Sequence, residues 1–289
     1  MISNTGRELS SAYLSVFEQT KQISLRMTVE SSERCLIIPD IHQNYQYLES
    51  VLEREPLDGF TDVVFLGDFC DAKEREYRGP KALKQTLTIV ADLIAEYGEK
   101  IEILLGNHDV LYYYMQDLGN TNPLDRAIVM DYYGMPDREI LSVCSDPAYR
   151  EFWKRFRIAT IKHNHLLTHA GVTLKRWNTA RKPEVNISAL NRNLGRVNDG
   201  EGEIRSFFRA GLTRGGDLPE GGPLWLDWNT EFKDELPLPQ VVGHTAGSVW
   251  RRTERSFCLD ALQSCYAILD SEGVHPQYLE KKEKDSWLF

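Results

Sequence analysis

The stretch Val63-Val64-Phe65-Leu66-Gly67-Asp68-Phe69-Cys70-Asp71 sets an apolar run directly against a glycine and two acids. Four apolar residues without alternation read as a strand buried on both faces, and the glycine as a tight turn at its carboxyl end. The pattern recurs on either side. Cys35-Leu36-Ile37-Ile38 runs into Pro39-Asp40-Ile41-His42, and Ile101-Glu102-Ile103-Leu104-Leu105 runs into Gly106-Asn107-His108-Asp109. Helix-compatible stretches lie between them, at about 44–55 and 80–97. This β-α-β-α-β alternation predicts an α/β fold with parallel strands and crossover helices. Ligands of such sheets bind beyond the carboxyl ends of the strands, where all three polar clusters fall.

Further along, strands are expected at about 157–162, 164–168, 240–243, 247–251, 256–260 and 265–270, the last three as a β-meander. Two more clusters follow apolar runs here: Thr168-His169-Ala170-Gly171 and Val242-Gly243-His244-Thr245. The blocks at about 110–156 and 172–236 are mainly non-strand and too long for plain connections, so they read as insertions that shape access to a site. Residues 34–289 then form one domain. Residues 1–33 form an N-terminal extension in which Leu9, Tyr13, Val16 and Phe17 fall at helical spacing.

Carboxylate, imidazole and amide oxygen together suit Mn²⁺, Fe, Zn²⁺ or Ni²⁺. In Asp40-Ile41-His42 the two polar side chains are expected on one side of an extended backbone, within reach of one ion. Any one of the five clusters is a weak signal. The ordered set of five, each behind an apolar run, is specific.

The set resembles the calcineurin-like metallophosphoesterase superfamily, closest to its phosphoprotein phosphatase and diadenosine tetraphosphatase branch. Gly67-Asp68, Gly106-Asn107-His108, His169-Ala170-Gly171 and Gly243-His244 match the branch's motifs, and Leu224-Trp225-Leu226-Asp227 resembles its Leu-Trp stretch. The resemblance covers about Arg34 to Asp270. It implies a β-sandwich flanked by helices with two divalent metal ions at its edge. Asp40 and His42 would hold the first ion, Asp68 would bridge both, and Asn107, His169 and His244 would hold the second. A hydroxide between the ions would attack phosphorus, His108 would protonate the leaving oxygen, and Asp71 would orient His108.

Three departures from the branch stand out. Pro39 and Gln43 replace the glycines that frame the first motif, with its ligands kept. Ala72 stands where the branch has a phosphate-clamping arginine, and residues 226–239 contain no arginine. Arginine forks bind phosphate oxygens bidentately, so their absence argues against a phosphoprotein substrate and toward a nucleotide-type one. Lys73, Arg75, Arg78, Arg181, Arg192, Arg196, Arg205, Arg209 and Arg214 are the candidate substitutes. Tyr112-Tyr113-Tyr114 reads first as core and second as a stacking surface for a base.

Composition bounds the alternatives. Of 289 residues, 42% are hydrophobic and 27% charged, as in a globular protein with a sizeable core. A net charge of −9 argues against extended nucleic-acid binding, which needs a basic surface. No apolar stretch is long enough to span a membrane. Cys35, Cys70, Cys144, Cys258 and Cys265 are scattered and odd in number, which suits free thiols and a cytoplasmic location. The expected substrate is a phosphorylated small molecule, a nucleotide or a phosphoprotein, and the expected metal is Mn²⁺, with Fe/Zn or Ni as alternatives. A serine/threonine protein phosphatase is the neighbouring reading. A catalytically inactive scaffold of the same fold is the reading from another class.

Overall fold

β1 (Cys35–Ile38), β2 (Asp62–Phe65) and β3 (Ile101–Leu104) lie side by side in parallel, joined by α1 (Tyr45–Arg54) and α2 (Pro80–Tyr97). This is a computed structural model of the chain, describing residues 33–119 and 121–279; the helix expected around Leu9 and Phe17 lies outside them. Apart from Asp62 at the start of β2 and Glu102 in β3, the three strands are apolar because both faces are covered. Leu36, Ile38, Val63 and Phe65 pack with Leu48 and Val51 of α1 and Leu83 and Leu87 of α2. Cys35, Ile37, Val64, Leu66 and Leu104 form a separate layer with Leu167 and Val241 of a second sheet. The architecture is the expected sandwich with helices outside.

α3 (Val110–Met115), α4 (Pro123–Tyr133), α5 (Arg138–Cys144) and α6 (Arg150–Lys154) follow β3, and they bury Tyr112, Tyr113 and Tyr114 as core. Next come β4 (Phe156–Arg157), β5 (Ala159–Lys162), β6 (His165–Thr168) and α7 (Pro183–Asn191). A segment of short 3₁₀ turns leads to β7 (Gln240–Val242), β8 (Arg251–Arg252), β9 (Phe257–Cys258), β10 (Cys265–Asp270) and β11 (Gly273–Tyr278). One sheet runs β11-β10-β1-β2-β3-β4 and the other β5-β6-β7-β9-β8.

Three expectations change. The single strand at 157–162 divides at Ile158, because Phe156 and Arg157 pair with β3 while Ala159–Lys162 pairs with β6. Asn191 Oδ1 accepts both the Ile158 and Ala159 N–H at the crossing, so the backbone leaves one sheet for the other without an orphaned donor. The late meander is only a hairpin, β8 with β9; β10 crosses to the first sheet and pairs antiparallel with β1. Residues 273–278, beyond the last expected strand at 265–270, form edge strand β11 on β10. Pro276 is tolerated there because an edge strand need not offer every N–H.

Candidate functional site

The carboxyl ends of β1, β2, β3, β6 and β7 converge on one buried cluster. Asn107 Oδ1 lies 2.9 Å from His169 Nε2 and 2.8 Å from His244 Nδ1. Asp68 Oδ1 is 3.5 Å from His169 Nε2, and its Oδ2 is 3.4 Å from His42 Nε2. Asp40 accepts the His244 N–H at 2.9 Å. The structure thus brings together all six residues singled out as ligands: Asp40, His42, Asp68, Asn107, His169 and His244. Each is buried.

At the rim, His108 Nδ1 is 3.1 Å from Asp71 Oδ2, and the His108 N–H donates to Asp68 Oδ1 at 3.0 Å. The His108 ring lies edge-on to His42, centroids 5.1 Å apart. The pair is half-exposed, with 38% of the His108 side chain and 48% of the Asp71 side chain accessible. Burial resists a charge on this imidazole, but Asp68 and the Asp71 hydrogen bond outweigh it and raise its pKa to about 9. Tyr112 Oη donates to the other Asp71 oxygen at 3.4 Å.

The donor chemistry fits metal ions. His42 Nδ1 is held by the Asp71 carbonyl at 2.7 Å and His169 Nδ1 by the Leu66 carbonyl at 2.8 Å. Those bonds place the ring protons on Nδ1 and turn the Nε2 lone pairs toward Asp68 and Asn107. Burial keeps these imidazoles neutral: it pushes His42 down to about 4, lowers His169, and carries His244 well below its ordinary value. His42 Nε2 is buried with no hydrogen-bond partner. Burial, then Asp260 and Asp68, raises the Asp40 carboxyl well above the usual range. Converging imidazole lone pairs and crowded carboxylates are what a cation relieves. The potential ligand atoms of Asp68, His169 and His244 lie within 4.8 Å of one another, as do those of His42, Asp68 and His108.

The backbone that carries these groups is bent. β1 ends at Ile38, and His42 has φ +48°, so Asp40 and His42 share the site through a turn and not, as expected, through an extended strand. Asp68, Asp71 and His244 also take positive φ, at +56°, +61° and +65°. Such conformations are uncommon outside glycine and cluster where surrounding structure imposes them. Asp109 is one source of that constraint. Its buried carboxylate accepts N–H bonds from Asp68 at 2.7 Å, Phe69 at 2.9 Å, Cys70 at 3.0 Å and Gly106 at 3.2 Å. Gly106 is required beside it, since a side chain there would collide with the Asp68 carboxylate and backbone.

Two of these residues had no assigned role in the sequence. Asp109 was visible inside Gly-Asn-His-Asp, but nothing marked it as a backbone anchor. Asp260 follows the short apolar run Phe257-Cys258-Leu259, the same signal that marks the other clusters. It is buried and paired with Lys73 Nζ at 3.2 Å, which puts a cation next to Asp40. Of the other candidate cations, Arg214 joins Asp227 through Nε at 2.9 Å and Thr245 Oγ1 at 2.9 Å, one residue from His244. Arg78 lines a cleft with Asp71.

The profile of the calcineurin-like phosphoesterase family matches residues 33–245. No curated protein matches the sequence. Among solved structures, a cold-active protein tyrosine phosphatase superimposes with a TM-score of 0.56 at 14% identity, over 85% of this chain and 76% of that one. The cold-active protein-tyrosine phosphatase of the psychrophile Shewanella sp. gives 0.54 at 14% identity, over 86% and 80%. At that identity the likeness is one of fold.

Proposed function

This chain belongs to the calcineurin-like phosphoesterases and is a metal-dependent phosphoester hydrolase, and we propose that its centre is the Asp40, His42, Asp68, Asn107, His169 and His244 cluster with His108 as general acid. The observation that carries this reading is the convergence of the six carboxylate, imidazole and amide side chains beside the half-exposed His108–Asp71 pair. Asp40 and His42 would hold one divalent ion, Asn107, His169 and His244 a second, and Asp68, placed between the histidines, would touch both. Two ions, when bound, supply an activated water and offset charge on the phosphoryl oxygens.

The chain's own groups do the rest. Asp71 holds the His108 ring through Nδ1 and favours its protonated form, so the other ring nitrogen has a proton to give to a departing oxygen. Tyr112 steadies Asp71 from the core side. The substrate is a phosphorylated compound of nucleotide type; what supports this is Ala72 in place of a clamping arginine and the cleft lined by Tyr132, Tyr133, Trp225, Arg209 and Arg214. The mixed carboxylate, imidazole and amide set suits Mn²⁺. Five buried free thiols support a cytoplasmic setting, and among the described residues no helix is long and apolar enough to cross a membrane.

Kinetics of His108→Ala test the assignment. Both ions should stay bound while kcat falls by roughly 10²–10⁴, and less for p-nitrophenyl phosphate, whose leaving group needs little protonation. Equal losses for good and poor leaving groups, or loss of metal, would refute the acid role.

A further inference from the structure

The half of the centre built on Asp40 and His42 holds more charge than its ligands account for. Asp260, which belongs to no ligand set, is 1% exposed, as are Asp40 and Asp68. After burial itself, Asp260 is the strongest influence on the Asp40 carboxyl, ahead of Asp68. Its own oxygens are engaged elsewhere. Oδ1 accepts the Leu262 N–H at 3.2 Å, and Oδ2 accepts from Lys73 Nζ at 3.2 Å.

The carboxylate is fixed by its turn. Leu262 and Gln263 take φ of +53° and +54°, so the chain bends sharply behind Asp260. The Asp260 carbonyl accepts the Gly247 N–H at 3.0 Å, which ties the turn to the loop that carries His244. Asp260 therefore has a set position relative to the ligands, and it holds Lys73 by that position.

Lys73 is drawn inward as a result. A lysine on a loop ordinarily extends its ammonium into water, yet here only 31% of the side chain is accessible. Burial resists the charge, but Asp260, then Asp40 and Asp68, outweigh it and raise the ammonium above its ordinary range. Behind burial, Lys73 adds to what disfavours charge on His42 and on His169, whereas Arg214 is the cation that acts on His244. The ammonium thus sits on the Asp40 side of the centre. A divalent ion entering there meets a positive charge that already draws on the same carboxylates.

We propose that Lys73, pinned by Asp260, is a tethered counter-cation of the Asp40–His42 half-site, and that the pair sets the metal concentration at which this half-site fills. The proposal rests on the metal-centre reading above and gives a role to two residues outside the ligand set. Electrostatics sets the signs. Removing the ammonium leaves Asp260 as an uncompensated anion beside the ion and strengthens binding. Removing the Asp260 charge leaves the ammonium unanswered and weakens it. A pair that only braced the loops would lower metal affinity in both variants.

Calorimetry of Mn²⁺ into the metal-stripped full chain tests it, with His42→Ala identifying the binding step that belongs to this half-site. That step should tighten about tenfold or more in Lys73→Met and weaken about tenfold in Asp260→Asn. In Lys73→Arg, which keeps the charge, it should stay within about threefold of the wild type, and the other step should move by less than about threefold throughout. Lys73→Gln removes the charge but keeps a donor for Asp260; it should tighten the same step, and it replaces Lys73→Met if that variant does not fold. A step left unchanged or weakened by loss of the Lys73 charge overturns the proposal. The wild-type titration tests the centre separately. No uptake of Mn²⁺ overturns the centre and the proposal together, whereas uptake with unaltered affinity in the Lys73 variants overturns the proposal alone.

Discussion

Replacing Asp109 by asparagine exchanges one oxygen for an NH₂ group at nearly constant volume, and the structure says what that exchange costs. One carboxylate oxygen accepts from Asp68 and Gly106, the other from Phe69 and Cys70. Whichever way the amide turns, its NH₂ faces two of the four backbone donors. Each buried N–H left without an acceptor costs about 1–3 kcal/mol, so the change should cost about 2–6 kcal/mol. Removing the charge returns part of this, since burial, followed by Asp68, already pushes Asp109 up to about 7. We therefore expect the lower half of the range.

Against a typical total stability of about 5–15 kcal/mol, such a loss is easily measured. Urea unfolding of the metal-free protein should show at least about 2 kcal/mol of destabilisation, and Asp109→Ala, which leaves all four donors unanswered, should show more. Metal affinity should fall as well, because the peptide released is the one that carries Asp68. A loss below about 1 kcal/mol with native metal affinity would refute the view of Asp109 as anchor of the two turns.

Three other outcomes are expected. Asp68→Asn should abolish turnover and weaken both metals, read by elemental analysis and assay; native metal content and rate would exclude a bridging role. Gly243→Ala should lose metal, because the added Cβ falls on Asp40 Oδ2; its φ is not positive, so stability should suffer less than metal content, which elemental analysis and thermal melting together decide. In the metal-free protein, the His108 ring should titrate near 9 by NMR and fall back toward 6.5 in Asp71→Asn. Because the folded value is raised, the stability it contributes is fully present below about 6.5 and lost as pH rises through about 9. A titration at the ordinary value in the wild type would contradict the arrangement.

Much of this protein was legible in one dimension. Strands at 35–38, 63–66 and 101–105 announced themselves because a strand covered on both faces is apolar at nearly every position, Glu102 being the one exception among these three stretches. The turn after each showed as glycine or proline beside acids and histidines, residues that packing does not explain there. The triple tyrosine was read as core, and α3 buries all three rings.

The sequence by itself determined which residue types stand at the strand ends, and so the kind of chemistry available. Tertiary structure decided what it could not. The change of sheet at Ile158 depends on Asn191, a partner 33 positions away whose amide satisfies the bend. The return of β10 to β1 and the pairing of β11 have no local signature, because an edge strand that holds a proline reads as loop. The anchoring by Asp109, the Lys73–Asp260 pair and the positive φ at His42, Asp68 and His244 arise only when loops from different strands meet. Periodicity records which face of a segment is buried, whereas hydrogen bonds between turns record which segments meet, and that information exists only in the folded chain.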